Sequence, residues 1–127
     1  MSVLSEIKEE INYYNPPQKV ADALLHLGRR GLRFSGHGVF LSTNAEGTED
    51  IGVMKEFGLL GDTYVYVIIE WKGRSFSTDV HIEKPNKSER FCFDGFAKAR
   101  DFIDKHKLHT KRGIDKYLDN LGNQPEG

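Results

Sequence analysis

Four side chains in the middle of the chain have the types that acid–base chemistry needs. Asp79 and His81 stand two residues apart, and Tyr64 and Tyr66 stand two apart on the run before them. In a strand, residues two apart point to the same face. A carboxylate at Asp79 can then orient the imidazole of His81, and an oriented imidazole is the commonest general base. The same alternation has a plainer reading, because antiparallel sheets often keep one polar, solvated face. A general base also needs a pocket, and nothing in the spacing supplies one. Tyr64, Tyr66, Ile68, Asp79 and His81 are therefore assigned to a partner-binding face, with no catalytic residue named. A small enzyme using the Asp/His/Tyr cluster is the last of three alternatives.

Other reactive types carry less. Cys92 is a candidate nucleophile with His81 or His37 as base. Lying between Phe91 and Phe93, it reads better as a small buried apolar residue. His106 and His109 are three apart, as zinc ligands on a helix can be, but no cysteine or nearby acid completes a tetrahedral set. They read as solvated groups near a helix C-terminus, so neither a metal nor a cofactor is expected. Gly36-His37-Gly38 departs from the dinucleotide fingerprint, which needs a third glycine where Leu41 stands. It reads as a bend or bulge within a strand. The run from Lys105 to Arg112 holds four cations and no acid. Lys105, Lys107, Lys111 and Arg112 can contact phosphates, which makes nucleic-acid binding the second alternative. Cations favourable to a helix end are the competing reading.

The elements that position these residues follow from periodicity. Val3, Leu4, Ile7, Ile11 and Tyr14 recur at helical spacing behind a capping Ser2. Pro16-Pro17 ends that helix. Asn15 is expected to cap a second, with Val20, Ala23, Leu24 and Leu27 as its apolar stripe and Gly28 or Gly31 as its stop. Leu32 to Thr43 reads as a strand. Residues 51–60 fit a short helix or an irregular strand equally well. Thr63 to Glu83 reads as a hairpin about Lys72-Gly73, with paired residue numbers summing to 145. That register sets Trp71, Ile69, Val67, Val65, Phe76, Thr78 and Val80 on a core face, and Val67, Ile69, Phe76 and Phe102 are expected to be buried. Tyr64, Tyr66, Ile68, Ser77, Asp79 and His81 fall on the other face. A turn at 85–88, a third strand from Glu89 to Phe93, and two helices follow. Asp94 and Thr110 are the expected caps. Phe96, Ala99, Phe102 and Ile103, then Ile114, Tyr117, Leu118 and Leu121, are the inward positions. Gly122 is the expected stop, with 123–127 a frayed tail.

The sum is one α+β domain over residues 1–122. Its mostly antiparallel sheet has three to five strands, with an N-terminal helix pair and C-terminal helices packed on one face. At 127 residues the chain has room for one core. Eighteen basic residues against nineteen acidic ones give a net charge of −1, which argues against a protein devoted to wrapping nucleic acid. No apolar stretch is long enough to span a membrane. The N-terminus lacks the pattern of a signal peptide, and the single cysteine suits a reducing cytoplasm. The order of elements resembles that of the double-stranded RNA-binding domain in order alone. The basic start of that family's last helix is reduced here to Lys98 and Arg100, offset by Asp101 and Asp104, and no residue role is carried over. The leading expectation is a non-catalytic interaction protein that binds a protein partner, or itself, through an exposed sheet face. Its size suits a regulatory subunit or an inhibitor, including the kind made by phages and other mobile elements.

Overall fold

The computed structural model describes residues 2–34, 42–43 and 47–123. Helix α1 spans Val3–Tyr14 and α2 spans Gln18–Arg29. Ser2 caps α1 as expected, its hydroxyl accepting from the Ser5 N–H at 3.1 Å. Asn15 does not cap α2. It closes α1 in a left-handed conformation (φ 50°), with its N–H donating to the Ile11 carbonyl at 2.8 Å. The reason is local: asparagine tolerates positive φ, and the prolines that follow have no N–H for its side chain to receive. Helix α2 ends in a Schellman turn at Gly31 (φ 88°). The Gly31 N–H donates to Gly28 and the Leu32 N–H to Leu27, both at 3.0 Å.

A five-stranded antiparallel sheet follows in simple chain order. Its strands are β1 Ser42–Thr43, β2 Glu49–Phe57, β3 Thr63–Lys72, β4 Ser75–Lys84 and β5 Lys87–Asp94. Of the expected strand over Leu32 to Thr43, Arg33 bridges Met54 and Ser42–Thr43 pairs with β2. Gly36-His37-Gly38 lies outside the described residues. The ambiguous 51–60 segment is strand through Phe57, with Ile51 and Val53 fully buried beneath the helices.

The β3–β4 register differs from expectation by two. Lys72 pairs with Ser75 and Trp71 with Phe76, so paired numbers sum to 147 and the turn residues are Gly73-Arg74. Gly73 takes φ 60° at the first turn position while Arg74 stays at negative φ. This is the II′ arrangement, which matches the strand twist and wants glycine first. Strand faces repeat every two residues, so a shift of two changes every partner and no face.

Helix α3 spans Ala97–His106 and α4 spans Lys111–Asn123. Asp94 does not cap α3; it is the last residue of β5, and Phe96 occupies the cap position without a side-chain bond. The chain enters α3 through Gly95 (φ 63°), whose N–H donates to Phe76 and whose carbonyl accepts from the buried Thr78 hydroxyl at 2.6 Å. Thr110 does cap α4, accepting from the Gly113 N–H at 3.0 Å. That helix runs through Gly122 to Asn123, so the expected tail over 123–127 begins in helix; residues 124–127 lie outside the described residues.

All four helices add buried residues to one cluster with the sheet. Ile7, Leu24, Leu27, Ile103, Ile114 and Leu118 meet Val53, Val65, Val67, Ile69, Val80 and Ile82. Each such side chain, fully buried, stabilises the fold by about 1.5–3 kcal/mol. Val67 and Ile69 are buried as expected; Phe76 and Phe102 are only partly buried. Phe102 lies at the rim, where Phe91, Phe93, His106 and Tyr117 surround it with ring centroids at 4.8–5.5 Å. Large rings cover the edge of a small core more readily than they fit within it.

Candidate functional site

Because all four helices join the core on one face of the sheet, the opposite face carries the remaining side chains of β2 to β5. Register places Gly52, Met54 and Glu56 beside Ile68, Tyr66 and Tyr64. These in turn face Asp79, His81 and Glu83, with Cys92, Arg90 and Ser88 outermost. Tyr64, Tyr66, Ile68, Asp79 and His81 thus share one half-buried outer surface.

They do not assemble as the enzyme reading requires. Asp79 is engaged across the sheet by Arg90 at 2.6 Å, and it also accepts a hydrogen bond from Cys92. Burial would raise its pKa; the two hydrogen bonds and the Arg90 charge outweigh burial and hold it below the usual carboxylate value. Tyr64 donates to Glu83, and that bond, with burial, pushes its pKa up to about 12. A phenol so held is a poor acid near neutrality. His81 packs edge-on to Tyr66 at 6.1 Å, and its Nε2 is buried with no partner among the described residues. Burial first, then the Arg90 charge, lowers its pKa and favours the neutral ring.

Cys92 corrects another expectation. It is exposed on this outer face, since its alternation is opposite to that of Phe91 and Phe93. The hydrogen bond to Asp79, then burial, raises its pKa, the reverse of what a nucleophilic thiolate needs.

The ring of Tyr66 crosses β2 where Gly52 leaves room; a Cβ there would stand 2.7 Å from the Tyr66 Cζ and closer still to the hydroxyl. Around this aromatic centre the outward positions hold Asp50, Glu56, Glu70, Asp79, Glu83 and Asp94 against Lys72 and Arg90. The face is acidic although the chain is nearly neutral.

The loop that leads into β3 carries a feature to which no role was assigned from the sequence. Between Phe57 and Thr63, Gly58 (φ 87°) and Gly61 (φ 61°) fold a tight loop. It presents Leu59 and Leu60 at 106% and 88% exposure. The available signal was a leucine pair bracketed by glycines.

The cationic run separates into two groups. Lys111 is paired with Asp115 at 3.1 Å, and Lys84 holds the same carboxylate from β4. Lys105, Lys107 and Arg112 line a cleft of about 440 Å³ between the end of α3 and the start of α4, joined there by Lys116. His106 does not pair with His109; it packs on Phe102 and Tyr117. Among the described residues, no group of three or more His, Cys, Asp or Glu is placed to hold a metal. No helix among them is long and apolar enough to cross a membrane.

No family model matches the chain, and neither a curated protein nor a solved structure matches it.

Proposed function

We propose that the protein is a non-catalytic interaction protein that binds a protein partner through the outer sheet face and the Leu59–Leu60 loop. The observation that carries this reading is the leucine pair. Two large apolar side chains stand fully exposed on a glycine-braced loop, where they contribute nothing to the core. The pair stands in the loop that leads into β3, the strand that carries Tyr64, Tyr66 and Ile68. Exposed contiguous apolar surface rimmed by charge is the usual anatomy of a binding patch. Tyrosines suit its centre, since the ring adds contact area while the hydroxyl stays hydrogen-bonded. The acidic rim favours a partner with a basic surface and disfavours stacking two copies face to face. A regulatory subunit or inhibitor fits this description.

The test uses purified, tagged full-length protein as bait in lysate of its own source. Leu59→Ser with Leu60→Ser should leave thermal stability unchanged and weaken capture of a stoichiometric basic partner by at least about 2 kcal/mol, the scale of an interface hot spot. Tyr64→Ser with Tyr66→Ser should weaken the same partner. Capture unchanged in both variants would remove the outer face from the interface.

A further inference from the structure

The cleft between α3 and α4 holds charge that folding does not account for. Cations near the C-terminus of α3, such as Lys105, complement its dipole. Arg112 stands at the opposite kind of place, in the first turn of α4, where the dipole disfavours positive charge, and Lys116 follows it one turn later. They are also four residues apart on one helix, a like-charge spacing that destabilises it. Lys111 on the same turn is neutralised by Asp115, but Arg112 and Lys116 are not. Among the described residues, none of Lys105, Lys107, Arg112 and Lys116 has an acidic partner. All four line the one cleft, and no acid lines it with them.

The remaining lining is Gly113 together with hydrogen-bonding and aromatic groups: Thr110, Asn120, His106 and Tyr117. The carbonyl of the residue that closes α3 is already occupied. Lys107 O accepts both the Thr110 N–H at 3.0 Å and the Thr110 hydroxyl at 2.7 Å. At the start of α4 the Arg112 N–H has no acceptor among the described residues, as first-turn amides commonly do not. A volume of about 440 Å³ lies in the range of small-molecule sites.

We propose that this cleft binds a phosphate-bearing ligand of about nucleotide size, with Lys105, Lys107, Arg112 and Lys116 converging on its phosphates. The inference is independent of the outer face, which lies across the sheet. The same phosphate chemistry is offered by a free nucleotide and by the backbone of a nucleic-acid strand.

Calorimetric titration of the full chain with inorganic pyrophosphate, with ADP and with single-stranded oligonucleotides of increasing length, at low and at high salt, tests it. At least one probe should bind at low salt with one site per chain and weaken as salt rises. ADP bound as tightly as the oligonucleotide identifies a small phosphorylated ligand. Affinity that climbs with strand length identifies the nucleic-acid backbone. Arg112→Gln with Lys116→Gln should reduce binding of that probe by about tenfold or more, the worth of losing charge-assisted hydrogen bonds. The same variant should be as stable as the parent or more so, because the i,i+4 repulsion is gone. Weaker binding with no loss of stability is the signature of a ligand site. Absence of binding by all three probes, binding indifferent to the variant, or a less stable variant would each overturn the proposal.

Discussion

The corner that forms the cleft depends on Gly113, and replacing it by alanine should destabilise the protein although alanine is the better helix former. A Cβ at Gly113 would stand 2.5 Å from the His106 carbonyl oxygen and 2.6 Å from the Lys107 carbonyl carbon, with the Lys107 oxygen closer still. Ordinary contact begins at 3.4 Å, so the end of α3 and the start of α4 must separate by well over ~1 Å, and close-packed structure resists shifts of that size. These obstacles are backbone atoms and cannot rotate away. The movement pulls on the Thr110 cap of Gly113 and on the buried Leu108 and Ile114 that flank it. Overpacking costs about 1–3 kcal/mol. A weakened cap adds up to about 1 kcal/mol. The gain in helix propensity returns at most about 1 kcal/mol. The net expectation for Gly113→Ala is a loss of up to about 3 kcal/mol, read as a lower urea midpoint at unchanged slope. Gly28→Ala is the internal comparison. Its Cβ meets Ile7 Cδ1 at 2.6 Å, the tip of a side chain that can rotate, so its cost should be smaller. A Gly113→Ala protein as stable as the parent, or more so, would refute the close approach of the two helices.

Two further expectations follow. Lys107 closes α3 at φ 51° in a Schellman turn, with Leu108 N–H donating to Ile103 at 3.0 Å, so Lys107→Gly should stabilise the fold by up to about 1 kcal/mol in a denaturant melt while weakening the anion site it lines. Asp104 ties α3 to α2 through Arg30 at 3.1 Å and His26 at 3.2 Å; burial would raise its pKa, but these bonds and charges prevail and lower it below 3.8. A depressed carboxylate stabilises the fold above its unfolded pKa and stops doing so as pH falls through the folded one. Asp104→Asn should therefore lower the melting temperature at pH 7 and make little difference well below pH 3.8, and an equal effect at both pH values would show that the charge is not what matters.

What was legible in the sequence was what local backbone geometry decides. Apolar spacing located the helix pair and both C-terminal helices, Ser2 and Thr110 marked two helix starts, and strict alternation from Thr63 to Glu83 sorted the side chains by face. Tyr64, Tyr66, Ile68, Asp79 and His81 could be grouped because a strand's side-chain period is two whatever it pairs with. The partners across the strands were not legible, because a shift of two residues leaves the same apolar face inward and the turn residue alone chooses between registers. Asp79 could be seen near His81; that it bonds Arg90 and Cys92 instead is decided by the pairing of β4 with β5. The exposure of Leu59 and Leu60 runs against the expectation for leucine, and only a loop projecting from the sheet produces it. The basic run was visible as composition, but its division was not. Lys111 is neutralised by Asp115, while Arg112 and Lys116 turn toward Lys105 and Lys107 across a corner that Gly113 alone makes tight enough. Which charges meet depends on how two helices pack, and packing is set by contacts distant in sequence that no local pattern records.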